Sequence, residues 1–217
     1  MPRSEHFDDV YFSVQDGLAE TRHVFLAGNG LPALWRGRDV FTVCETGFGT
    51  GLNFLALLHL WRHEPQSLRP SRLRFISFEK YPVAPELVRR YLSGWEELGV
   101  ELEMLLAHDF PSGVELKVLI GDVNDLMPQL DAQVDCWFLD GFKPSSNPDM
   151  WSETVFENMA RLSHPEARFA TFTAAGFVRR GLQAVGFEVA KVPGYGRKRE
   201  MAVGLYKGKE VAHDEAG

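Results

Sequence analysis

Short runs of β-branched and aromatic residues alternate along this chain with longer stretches whose apolar positions recur at helical spacing. That alternation predicts repeated strand–helix units and a parallel sheet. The clearest unit begins with Val40, Phe41, Thr42, Val43 and Cys44 and passes through Glu45, Thr46, Gly47, Phe48, Gly49, Thr50 and Gly51. It then opens into Leu52, Leu55, Ala56, Leu58 and Leu60 at helical spacing. Further strands are expected over 73–79, 114–120, 134–140, 168–173, 187–192 and 200–206. Helices are expected over 84–98, 101–108, 152–162 and 175–185, with a short helix or turn over 125–130.

Ahead of the first unit, Val10, Phe12 and Val14 alternate, Asp16-Gly17 signals a turn, and His23, Val24, Phe25 and Leu26 return. Residues 1–39 are therefore expected to form a small N-terminal β extension around a hairpin, 40–207 the main domain, and 208–217 a flexible polar tail. The fold class that follows is α/β: a Rossmann-like, class I methyltransferase sheet of seven strands, closed by an antiparallel last strand.

Composition narrows the class. A chain of 217 residues with 45% hydrophobic and 12% aromatic content suits one α/β domain with a full core. No apolar run approaches a membrane span, and the charged start is not a secretory signal. Cys44 and Cys136 lie in apolar runs and read as buried thiols of a reducing compartment, so a cytoplasmic location is expected. A net charge of −7 argues against indiscriminate polyanion binding by the whole surface. A local basic patch is still open, since Arg179, Arg180, Lys191, Arg197, Lys198, Arg199, Lys207 and Lys209 cluster late in the chain. Such a run is either a phosphate-binding face or a solvated one.

The glycine-rich turn carries the candidate chemistry. Its spacing is Gly-x-Gly-x-Gly, not the dinucleotide fingerprint, and no Gly-Lys-Ser/Thr follows to make a phosphate loop. Glu45 stands two residues before the first glycine, where a fixed carboxylate would repel a pyrophosphate and attract a cation. The α-ammonium of S-adenosylmethionine (SAM) is such a cation, and the turn and helix N–H groups suit its carboxylate. Glu79 ends the second strand, where an acid accepts from ribose hydroxyls, in SAM or in NAD alike. Gly121-Asp122 ends the third strand, where an acceptor meets a purine amine. Asp140 ends the fourth strand beside the point where strand order reverses, and a loop with Phe142, Pro144 and Trp151 follows. Those rings either stack on a flat substrate or close the edge of the core.

Several blocks resemble a known family. They are Glu45-Thr46-Gly47-Phe48-Gly49-Thr50-Gly51-Leu52-Asn53-Phe54, Phe75-Ile76-Ser77-Phe78-Glu79-Lys80, Phe138-Leu139-Asp140-Gly141-Phe142, Asn147-Pro148-Asp149-Met150-Trp151, Ala174-Ala175-Gly176-Phe177-Val178-Arg179-Arg180 and Gly196-Arg197-Lys198-Arg199-Glu200-Met201. Together they are similar to the methyltransferase half of the bifunctional tRNA wobble-uridine enzymes, the MnmC-like methyltransferases. The resemblance runs from Phe7 to about Tyr206. The FAD-dependent oxidase half of that family is absent from the sequence, so a stand-alone methyltransferase or an excised domain is expected. Lys143 departs from the small residue expected there, and His164-Pro165-Glu166-Ala167 replaces a Pro-Gly-Gly-like turn.

The resemblance implies methylation of 5-aminomethyl-2-thiouridine to 5-methylaminomethyl-2-thiouridine, with SAM as cofactor and no metal. It assigns cofactor contacts to Glu45, Gly47, Phe48, Gly49, Gly51, Asn53, Glu79, Lys80, Asp122, Val123 and Asp140. Asp140 is also the candidate catalytic residue, accepting a hydrogen bond from the aminomethyl nitrogen as a base or as an orienting acceptor. Substrate contacts fall to Tyr11, Phe142, Lys143, Pro144, Trp151, Arg179, Arg180, Arg197, Lys198 and Arg199. Implied partners are a tRNA anticodon loop and a separate FAD-dependent oxidase, with no membrane. A SAM enzyme for a small-molecule amine and an NAD oxidoreductase are the rival readings.

Overall fold

The computed structural model describes residues 17–208. Its seven-stranded sheet has the order β3-β2-β1-β4-β5-β7-β6, where β1 is Val40–Glu45, β2 Arg72–Glu79, β3 Val114–Ile120, β4 Val134–Phe138, β5 Ser163–Thr171, β6 Phe187–Pro193 and β7 Glu200–Tyr206. Strand β7 runs antiparallel to both β5 and β6, and the pairs from β3 through β5 are parallel. The class and the antiparallel closing strand follow the sequence expectation.

Helices α2 (Leu52–His63), α3 (Pro85–Leu92) and α4 (Gly99–Ala107) pack on one face of the sheet, and α5 (Val123–Leu126), α6 (Glu153–Leu162) and α7 (Gly176–Ala184) on the other. Sandwiched strands need apolar residues on both sides, which is why β1 and β4 read as continuous apolar runs. Along β1 the side chains still alternate. Phe41 and Val43 join the cluster under α2, and Cys44 joins the opposite one with Trp137 and Phe169. Both cysteines are buried free thiols. No helix among the described residues is long and apolar enough to cross a membrane.

Several expected boundaries move. The returning strand over 23–26 is helical: α1 (Gly17–Thr21) continues as a π-helical segment, Arg22–Ala27. Val24, Phe25 and Leu26 are all buried, and three successive buried side chains fit a wide helical turn pressed on a sheet better than an alternating strand. Phe25 packs on Phe138 with ring centroids 5.4 Å apart. The other half of the expected hairpin (Val10, Phe12, Val14), Tyr11 and the tail from 209 lie outside the described residues. The long helix over 84–98 breaks at Ser93-Gly94, and its end is a separate 3₁₀ turn, Glu96–Leu98. The turn expected near 164–167 lies inside β5, as an irregularity where the register with β4 shifts. Glu166 takes φ 66° there.

Candidate active site at the sheet's switch point

Strands β1 and β4 are neighbours, and the chain leaves them in opposite directions across the sheet, which opens a crevice beyond their carboxyl ends. The glycine turn crosses this crevice. Phe48 N–H donates to Phe78 O (2.9 Å), Gly51 N–H to Phe48 O (2.8 Å), and Thr46 Oγ1 to Asp140 O (2.6 Å). Gly51, at φ 84°, precedes α2 without a side-chain cap, so the first-turn N–H groups there suit an anionic ligand group. A Cβ on Gly47 would meet Asp140 O at 3.1 Å and Gly141 Cα at 3.3 Å. The close crossing of two backbones thus leaves a side chain at 47 only a tight fit.

Two adjoining cavities run along these strand ends. The larger, about 380 Å³, is lined by the glycine turn with Glu20, Thr21, Phe25, Asn53, Glu79, Asp140, Phe142, Lys143, Phe172 and Lys198. The smaller, about 190 Å³, is lined by Glu79, Lys80, Asp122, Val123 and the 147–150 loop. Gly47 and Glu79 border both. The donor set fits an elongated ligand with an anionic and cationic end at the turn, a diol at Glu79 and a base near Asp122, as SAM requires. Glu79 accepts from Gly49 N–H and Tyr81 N–H, both 2.7 Å, and burial raises its pKa. Each of its oxygens keeps a lone pair for a hydroxyl. Asp122 caps α5 through Asn124 N–H (2.9 Å) and holds Lys80 Nζ at 2.8 Å, an ion pair that lowers its pKa.

The acids at the centre differ from expectation. Glu45 is fully buried and borders neither cavity, so it is not the negative lip that the sequence led us to expect. Position 45 follows Phe41 and Val43 onto the α2 face, which points the carboxyl under the helix. There it accepts from Asn53 Nδ2 (2.8 Å) and Ser77 Oγ (2.7 Å). Burial, and then the neighbouring Asp140, raise its pKa well above the ordinary range. Asn53 Nδ2 also donates to Asp140 Oδ2 (2.6 Å), and Asn53 Oδ1 accepts from Thr21 Oγ1 (2.8 Å). Asp140 Oδ1 accepts from Gly141 N–H (2.8 Å). Burial raises the Asp140 pKa to about 6, with a smaller push from Glu20, while its two hydrogen bonds and Lys198 hold it down.

The expected substrate residues divide. Phe142, Lys143 and Lys198 line the larger cavity, where Lys198 pairs with Glu20 (2.7 Å) and lies 4.4 Å from the Phe172 ring centre. Trp151 is a core residue: it is buried, donates Nε1–H to Phe142 O (3.3 Å) and meets Phe172 edge-on at 6.2 Å. It therefore supports the Phe142 loop and offers no face for stacking. Pro144 lies in the same loop without bordering either cavity. Arg180, Arg197 and Arg199 are exposed, and Arg179 Nε donates to Ala174 O (3.2 Å). Sequence reasoning missed Glu20, Thr21, Phe25 and Phe172, which reach the cavity from an unexpected helix and from the strand end after β5. It also missed Ser77, whose only signal is a polar residue inside an apolar strand.

A family model described as S-adenosyl-L-methionine-dependent methyltransferase matches residues 86–207. The tRNA 5-methylaminomethyl-2-thiouridine biosynthesis bifunctional protein MnmC of Methylobacillus flagellatus is 50% identical over 230 residues, covering 100% of this chain and 35% of that protein. Its namesake in Pseudomonas aeruginosa is 51% identical over 223 residues, covering 95% and 34%. The chain thus spans about a third of the length of these curated relatives. The crystal structure of MNMC2 from Aquifex aeolicus matches with a TM-score of 0.74 and 27% identity, covering 95% of this chain and 67% of that one. A matched model over more than half of the chain, together with this sheet and crevice, shows that the chain belongs to the S-adenosyl-L-methionine-dependent methyltransferases.

Proposed function

We propose that the chain methylates the amine of 5-aminomethyl-2-thiouridine at the tRNA wobble position, giving 5-methylaminomethyl-2-thiouridine. The observation that carries the reaction type is Asp140, a hydrogen-bonded carboxylate on the wall of the larger cavity with a pKa of about 6. The nucleoside is taken from the names of relatives about half identical to the chain.

In this reading the glycine turn and the first turn of α2 hold the amino-acid end of SAM, Glu79 the ribose, and Lys80, Asp122 and Val123 the purine end. The bound cofactor supplies an electrophilic methyl on a sulfonium. Asp140 is ionised at neutral pH, so it accepts a hydrogen bond from the aminomethyl nitrogen and favours loss of its proton. Asn53 and Gly141 fix the two oxygens, which keeps the carboxylate aimed without reorganisation. Phe142, Lys143 and Phe172 shape the wall that excludes water from the amine. Arg179, Arg180, Arg197, Lys198 and Arg199 contact phosphates of the anticodon loop, whose bases can splay out into a pocket. An FAD-dependent oxidase supplies the amine, in the cytoplasm where tRNA is modified.

The test is methyl transfer from labelled SAM to tRNA carrying the aminomethyl group, read by nucleoside analysis. The expected product is the methylaminomethyl nucleoside at the wobble position. Transfer to small amines with none to this tRNA overturns the reading.

A further inference from the structure

Away from the crevice, α2 and α4 share a cluster that the methyl-transfer chemistry does not use. His59 and His63 stand one turn apart on α2, and Glu101 projects from α4 between them and the core. One donor atom from each of the three lies within 4.8 Å of the other two. His59 Nδ1 is 3.4 Å from Glu101 Oε1. Two ligands of a tetrahedral metal, with bonds of about 2.0–2.1 Å, sit about 3.3–3.4 Å apart. This pair therefore already has the spacing of two ligands.

The hydrogen-bonding pattern suits a metal as well. His63 Nδ1–H donates to His59 O (2.8 Å), which leaves the Nε2 lone pair of that ring for a ligand. Glu101 is 0% exposed, and its Oε2 is buried without a hydrogen-bond partner; His59 Nδ1 is likewise a buried atom without one. Buried polar atoms left unmatched cost about 1–3 kcal/mol each, so this pair asks for a partner. The Arg62 guanidinium holds Glu101 Oε1, which matches the hydrogen-bonded carboxylates common around metal sites.

We propose that His59, His63 and Glu101 form a binding site for a borderline divalent transition metal, Zn²⁺ by ligand type. Two imidazoles and one carboxylate select such an ion over the hard cations Mg²⁺ and Ca²⁺, which want all-oxygen shells. Water fills the fourth position on the exposed side, where His63 lies. The ion fastens α2 to α4. The first turn of α2 carries Asn53, and Leu105 of α4 lies where a Cβ on Gly51 would approach to 2.9 Å. The clamp thus steadies the elements behind the glycine turn and takes no part in methyl transfer.

The full chain, stripped with chelator, is titrated calorimetrically with Zn²⁺ and separately with Mg²⁺, and thermal unfolding is followed with each. Co²⁺ substitution reports the geometry by its visible absorption. The expected result is saturable binding of a single equivalent of Zn²⁺, a raised unfolding temperature, and no comparable effect of Mg²⁺. Affinity is expected to fall at least about tenfold in His63→Ala and in His59→Ala. His63 is exposed, so its variant folds without a core defect and keeps the test sound if Glu101→Gln does not. No saturable Zn²⁺ binding, equal response to Mg²⁺, or unchanged affinity in the double variant His59→Ala/His63→Ala overturns the site and leaves His59 as no more than a neighbour of Glu101.

Discussion

The proposed role of Asp140 fixes the acid side of the pH–rate profile. Its carboxyl lies at about 6 in the folded chain, against an ordinary 3.8. A group of pKa about 6 is about 90% ionised at pH 7 and about 10% at pH 5, whereas an ordinary aspartate stays about 94% ionised at pH 5. If the ionised form is the competent one, kcat/KM falls about tenfold between pH 7 and pH 5. The substrate amine also titrates, and it must be neutral to react, so an acid limb alone proves little. Two neighbours separate the contributions. Glu20 raises the Asp140 pKa and Lys198 lowers it, so Glu20→Gln is expected to move the limb to lower pH and Lys198→Met to higher pH. The amine's own titration in free substrate is blind to both changes. The assay is initial-rate methyl transfer to aminomethyl tRNA from pH 5 to 8. A limb unmoved in both variants, or near-normal turnover in Asp140→Asn, refutes the assignment.

Stability should change in the opposite sense to activity. A carboxyl carried from 3.8 to about 6 by burial means that the fold disfavours its ionised form. The penalty is absent below pH 3.8, grows as pH rises, and is complete above about 6, where it reaches about 3 kcal/mol at most. Asp140→Asn removes it but sets an amide against the Asn53 Nδ2 donor, so a net gain of about 1 kcal/mol at pH 8 is expected by urea unfolding.

Other expectations concern the neighbours. Glu45→Leu strands the donors of Asn53 and Ser77 and should cost about 1–3 kcal/mol in urea unfolding, while Glu45→Gln, which can accept from one and donate to the other, stays within about 1 kcal/mol. Trp151→Ala should lose about 3–5 kcal/mol because the ring is core, and SAM affinity measured by calorimetry at temperatures where the variant is folded should change little. Replacing Arg197 and Arg199 by alanine should reduce the slope of log affinity for tRNA against log salt by about 0.7 for each lost phosphate contact. An unchanged slope returns them to the solvent.

Much of this architecture is legible in the amino-acid pattern because buried parallel strands leave little choice of residue. Val43, Cys44, Cys136 and Trp137 are apolar on both faces, and the glycine spacing marks the crossing at Gly47 where a side chain would be crowded. What the pattern hides is direction. Glu45 looks like a strand-end acid aimed at a ligand, but alternation along β1 sends it under α2. Trp151 follows a loop that borders the cavity, yet its ring turns inward to Phe172. Residues 23–26 are apolar enough for either a strand or a packed helix, and contact with Phe138 from a distant strand decides between them. Glu20 reaches the cavity only because that segment is helical.

The buried position of Glu45 also explains how the site keeps a usable charge. One amide group, that of Asn53, joins two carboxyls: Glu45 below it and Asp140 above. Like charges held this close cannot both ionise cheaply, and the two environments push the two carboxyls to different extents. Glu45 is wholly enclosed, and burial, then the neighbouring Asp140, pushes its pKa well up. Asp140 has a backbone N–H from Gly141 and the cation of Lys198 nearby, and it remains ionised at neutral pH. In the proposed reading, the negative charge facing the amine therefore lies at the end of β4 instead of β1. Had Glu45 stood at the lip, the two acids would have competed for the cationic end of the cofactor and for the amine alike. Withdrawn beneath α2, Glu45 reaches Asp140 only through Asn53, and of the two acids Asp140 alone borders the cavity.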